Sequence, residues 1–120
     1  LIPLLQSAKS AYVLWYSYLQ ILPKTHRHSL GVRIDALFIE LIETLAIASF
    51  LVREEKIPYV RIAIRKTDTL KILLMVLWET KSLDDKKYIA LSVKIDEIGR
   101  MLGGWSGQLV KQNSPMKGEK

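Results

Sequence analysis

Apolar residues recur at three- and four-residue steps through four stretches of this chain, a period that restricts it to amphipathic helices packed on one another. The first stretch carries Leu4, Ala8, Ala11, Trp15, Leu19 and Leu22, and the second Leu30, Ile34, Leu37, Leu41, Leu45, Ala48 and Val52. Tyr59, Ile62, Leu70, Leu73 and Leu77 trace the third; Tyr88, Leu91, Ile95, Ile98, Leu102, Trp105 and Leu109 trace the fourth. Prolines punctuate the pattern. Pro3 and Pro58 suit first helical turns, and Pro23 closes the first helix. Ser82-Leu83-Asp84-Asp85 has the form of a capping box with Ser82 at the cap. No strand-type alternation or Asn-Gly turn interrupts the helices. The expected fold is all-α: an antiparallel up-down-up-down four-helix bundle over residues 1–112, followed by a polar tail at 113–120.

The pattern holds more apolar surface than one core needs. Ile39 and Phe50 fall away from the main stripe of the second helix, and Ile64, Ile72, Met75 and Trp78 from that of the third. Contiguous apolar surface beyond the core marks an interface, so these six residues are expected to bury against further copies of the chain.

Chemistry is sparse. With no cysteine, disulfides, thiolate metal sites and thiol nucleophiles are excluded, and a reducing, cytoplasmic setting fits. The acidic pairs Glu54-Glu55, Asp84-Asp85 and Asp96-Glu97 are helix neighbours that point about 100° apart, so none forms a carboxylate dyad. His26 and His28 lack the four-residue helical spacing of a metal pair. The longest uncharged run, residues 10–23, is shorter than the ~20 residues a membrane span requires. The expectation is a non-enzymatic protein without metal, cofactor or membrane segment.

Charge points elsewhere. The formal net charge is +6, and the first acidic residue is Asp35; Lys9, Lys24, Arg27 and Arg33 all precede it. A surface tuned for solubility alone intersperses its signs, whereas a one-signed stretch around a helix junction fits a polyanionic partner. Arg27 falls in phase with Leu30 and Ile34 and is assigned to structure, its guanidinium closing the end of the bundle on a carboxylate or on helix carbonyls. Lys24 and His28 occupy one flank of the junction, and His26 and Arg33 the other. Arg61 and Arg65 stand one turn apart on the third helix, Asp68 lying three residues beyond. These six residues, Lys24, His26, His28, Arg33, Arg61 and Arg65, are the candidate phosphate contacts.

Glycines in the fourth stretch need an account, since each costs a helix up to about 1 kcal/mol against alanine. Gly99 and Gly103 share one face and would admit a neighbouring helix closely; alternatively, Gly103-Gly104 ends the helix and turns Trp105 inward.

Two motifs together resemble a known family. Leu22-Pro23-Lys24-x-His26-Arg27-x-x-Leu30-Gly31, with Arg33-Ile34, looks like the helix one–two signature of small bacterial four-helix bundle proteins. Glu97-Ile98-Gly99-Arg100-Met101-Leu102-Gly103-Gly104-Trp105 looks like their helix-four signature. The group comprises the accessory variability determinant of diversity-generating retroelements (Avd) and proteins encoded in large-subunit rRNA intervening sequences, and the IGRMLGGW ending leans toward Avd. His28 departs from the pattern, standing where many relatives carry an aromatic residue. The resemblance implies a basic bundle that assembles as a ring-like pentamer, binds RNA or DNA and associates with the element's reverse transcriptase during mutagenic copying. An rRNA-insert protein of unassigned role and a purely structural interaction module are the rival readings.

Overall fold

The computed structural model describes residues 2–112, so the tail expected at 113–120 lies outside the described residues. Those residues are helical apart from short connections, with no strand among them, and hold five helices rather than four: α1 (Ile2–Leu19), α2 (Lys24–Arg27), α3 (Leu30–Ser49), α4 (Arg53–Glu79) and α5 (Asp85–Gln112). α1 and α4 each pack against both α3 and α5. The contacts run in opposite senses along the chain: Tyr12 meets Phe38 while Trp15 meets Asp35, Ser7 meets Met101 while Ser10 meets Lys94, and Lys66 meets Glu40 while Lys56 meets Ala48. The molecule is long and narrow, 56 × 25 × 21 Å.

The extra helix arises at the proline. Pro23 has no N–H to continue α1, and its carbonyl instead accepts from the His26 and Arg27 amides at 3.0 and 2.8 Å, starting a single new turn. The helix then stops at His28 and Ser29, so the phase assumed from Arg27 to Leu30 is broken. Gly31 explains why the break is so tight: a Cβ there would stand 3.0 Å from the His26 carbonyl oxygen and 3.0 Å from a Leu19 methyl.

Three boundaries differ from the sequence expectation. The Arg53–Lys56 run opens α4 instead of closing α3, placing Glu54 and Glu55 at the positive end of the α4 dipole. Lys56 reaches back to donate to the Ala48 carbonyl at 2.6 Å, a second bond to an acceptor that also takes the Leu51 amide at 3.2 Å at the end of α3. Pro58 consequently lies inside α4 rather than in its first turn. At α5 the cap is Asp84, not Ser82: its carboxylate accepts from the Lys87 amide at 2.8 Å and from the Lys87 ammonium at 3.1 Å. These bonds hold the Asp84 carboxyl below its ordinary range, the backbone bond contributing most. A group shifted that way adds stability that is complete above the unfolded carboxylate range and fades as acid titrates it. Asp84→Asn is therefore expected to keep a capping oxygen while flattening the acid side of a stability–pH curve measured by denaturant titration.

The core runs the length of the molecule. Leu4, Ala8, Ala11, Trp15 and Leu22 meet Ile34, Leu37, Phe38, Leu41 and Leu45 from α3, and Leu91, Ile95, Ile98, Leu102 and Leu109 from α5. On α4 the buried line is Val60, Ala63, Thr67, Leu70, Leu74 and Leu77, so Tyr59, Ile62 and Leu73 stand off the axis expected for them. Thr67 is buried without penalty because its hydroxyl donates to the Ala63 carbonyl at 2.8 Å.

The glycines of α5 correct both expectations made for them. α5 continues to Gln112, so Gly103-Gly104 does not end it, although Trp105 is half-buried and packs against the core. A Cβ at Gly99 would meet only the Lys71 side chain, its nearest atom at 3.3 Å, and one at Gly103, Gly104 or Gly107 would meet nothing within 4 Å. Among the described residues no backbone closely approaches them. Gly104→Ala is accordingly expected to raise stability by up to about 1 kcal/mol, whereas Gly31→Ala should lower it by about 1–3 kcal/mol through overpacking. Thermal melts of the two variants, shifting in opposite directions, check the pair.

Candidate nucleic-acid interface

The structure sorts the six candidate phosphate contacts into two places. Lys24, His26 and His28 sit on or beside the single turn of α2, at one end of the molecule. Lys24 and His28 are exposed, but His26 is half-buried, and its Nδ1 is hydrogen-bonded to the Ser82 hydroxyl in the α4–α5 turn. Because the helix breaks between Arg27 and Leu30, the flank assignments for Lys24, His28, His26 and Arg33 do not survive; His26 is a tie between α2 and the opposite turn rather than a free group.

Arg33, Arg61 and Arg65 lie along the α3 and α4 surface, all exposed. Arg33 and Arg65 line one groove between the two helices, together with Leu37, Ile62, Lys66 and Thr69. Lys66 is engaged there by Glu40 at 2.9 Å, a half-exposed pair that adds at most about 1 kcal/mol. Among the described residues no carboxylate comes within 4 Å of either arginine, and the local neutralisation of Arg65 by Asp68 does not occur. Arg61 stands one turn from Arg65 and outside the groove lining. The arrangement is an open channel walled by two guanidiniums, each with five fixed donors suited to phosphate oxygens.

Arg27 takes no part in that channel. Its Nε and Nη2 donate to the Leu22 carbonyl at 3.2 and 2.9 Å, closing the chain end that Pro23 leaves open. The carbonyl, not a carboxylate, is its partner.

The predicted interface residues divide as well. Ile39, Phe50, Ile72, Met75 and Trp78 are exposed, Phe50 at 88% of its surface. Ile64 is a correction: it is half-buried and packs against the core, because the α4 face is rotated relative to the expected one. Sequence reasoning missed Lys81, which lines a cleft beside Trp78 at the α4–α5 turn together with Lys86, a residue whose spacing reads as part of a solvated helix face. Nothing in the local pattern flags Lys81, whose place depends on how α4 ends.

Fold and surface together define a class: a small basic helical bundle with an exposed interhelical groove lined by two arginines that have no carboxylate partner among the described residues. Within that class the chain belongs to the bAvd-like family, whose model matches residues 5–109. Among curated proteins no match is found. No described helix is long and apolar enough to cross a membrane.

Proposed function

We propose that this protein is a non-enzymatic, nucleic-acid-binding accessory protein of a diversity-generating retroelement, acting as an oligomer alongside the element's reverse transcriptase. Family membership supports the retroelement assignment, since the IGRMLGGW ending of Ile98 to Trp105 leans to the Avd side of the group. The observation that carries the binding function is the groove in which Arg33 and Arg65 converge from different helices without a carboxylate partner among the described residues. In this reading α1, α3, α4 and α5 form an up-down-up-down bundle, supported by the opposed running of their contacts. The exposed apolar residues Ile39, Phe50, Ile72 and Met75 support self-association, with the pentamer of the resembled family as the expected form. The bundle presents phosphate-binding charge at repeated positions around the ring, and polymerisation belongs to the partner enzyme in the cytoplasm.

Light scattering with and without RNA, and oligonucleotide titration across salt, test this. The expected results are a mass several times that of one chain and an affinity that falls steeply with salt while depending little on sequence. A monomer indifferent to RNA overturns it.

A further inference from the structure

We propose that the outward face of Trp78 is a stacking platform for a base of single-stranded nucleic acid, with Lys81 and Lys86 meeting the flanking phosphates. This rests on the nucleic-acid reading above and gives it a second, chemically different contact. Trp78 sits in the last turn of α4. Its inner face is stacked on Tyr88, with centroids 4.9 Å apart and planes 10° from parallel, and its indole N–H donates to the Asp85 carboxylate at 2.7 Å. The ring is thus held from behind and at its edge while 38% of the residue stays exposed, so a base would meet a surface already ordered. Every base has a π-face, so such a contact is tolerant of sequence and adds to phosphate binding without competing with it.

Lys81 supplies an independent observation. It holds φ at 67°, the left-handed conformation that closes α4: its amide bonds to the Trp78 carbonyl at 3.0 Å, and the Ser82 amide to the Leu77 carbonyl at 2.8 Å. Glycine normally fills that position, and a side chain there is strained. A cation is therefore kept at a cost to stability, beside the cleft that Trp78, Leu83 and Lys86 line. Three carboxylates share the cleft: Asp84 is paired with Lys87, Asp85 accepts from the neutral indole and keeps its charge, and Glu79 has no bonded partner among the described residues, so stacking rather than net charge carries the contact. The bond between His26 and Ser82 sets the exposed Lys24 at this same end of the molecule.

Fluorescence anisotropy of the full chain decides the matter, using a thymidine oligonucleotide of about 20 residues and an abasic one of equal length. Wild type should prefer the base-bearing strand about tenfold. Trp78→Ala should abolish that preference with abasic affinity and solution mass unchanged, and Trp78→Phe should retain part of it. Lys81→Gly should raise the melting temperature while weakening both strands equally. Equal wild-type affinity for the two strands overturns the platform even if Trp78→Ala does not fold, and so does a Trp78→Ala protein that keeps the preference or changes its mass. Wild type binding neither strand at low salt defeats the nucleic-acid reading itself.

Discussion

Trp15→Ala should cost about 3–5 kcal/mol, the range for deleting a large buried aromatic ring. That is a large part of the roughly 5–15 kcal/mol by which domains are stable. Trp15 is fully buried, lies 22° from parallel with Phe38 at 6.0 Å, and donates its indole N–H to Asp35 at 3.2 Å. It is the point where α1 locks onto α3 by packing and by a hydrogen bond together. Truncation opens a cavity that neighbouring Leu and Ala side chains cannot fill, and it strips a donor from Asp35. That carboxylate already acts on a second neighbour: burial first, and Asp35 after it, push the Tyr12 hydroxyl above its ordinary value. A chain of this length should lose about 10–20 °C of melting temperature. Trp15→Phe restores most of the volume but not the donor, and a residual deficit of about 1 kcal/mol would measure the Asp35 bond. A Trp15→Ala melt within a few degrees of wild type would mean that α1 contributes little to the cooperative core.

How far the sequence foretold this structure varies helix by helix. On α1 the expected stripe is the buried one at Leu4, Ala8, Ala11 and Trp15, with Leu19 half-buried at the helix end and Leu22 buried just beyond it, because the opposite face carries Gln6, Lys9 and Ser17 and only one phase is possible. On α4 the phase was misjudged. Tyr59, Ile62 and Leu73 are more hydrophobic than Ala63 and Thr67, yet the small pair lies inside, where short side chains let α4 sit close to its neighbours. Hydropathy ranks residues by transfer energy and cannot show that a position is reserved for a small one. The single-turn α2 was invisible for a related reason: four residues hold barely one helical period, and what creates the turn is the missing proton of Pro23 and the close approach at Gly31.

Charge was legible in sum and poorly legible in place. Lys24 and His28 are exposed, but His26 is bound to Ser82, a residue far along the chain that no local spacing connects to it. Arg33 and Arg65 share a groove only because α3 and α4 pack side by side, a tertiary fact. Trp78 was read as apolar surface. Its ring is instead backed by Tyr88 across the α4–α5 turn and fixed by Asp85, partners whose role depends on the left-handed turn at Lys81.

Reversing both groove arginines, Arg33→Glu with Arg65→Glu, should weaken oligonucleotide binding at moderate salt by about a hundredfold, since each lost phosphate contact forfeits roughly tenfold. The salt dependence should become shallower too, by about 1.4 in the log–log slope for a single strand contacted at two phosphates per chain. The fold should survive, because both side chains are exposed and neither is ion-paired within the described residues. Lys9→Glu with Arg53→Glu is the matched control: it changes net charge equally at exposed positions outside the groove. If long-range attraction to a basic surface were the whole effect, the two double variants would lose affinity alike. A loss concentrated in the Arg33 and Arg65 variant locates the contact between α3 and α4, and equal losses would remove the groove from the account. Arg61→Glu grades the result further: one turn from Arg65 and outside the groove lining, it should fall between the two.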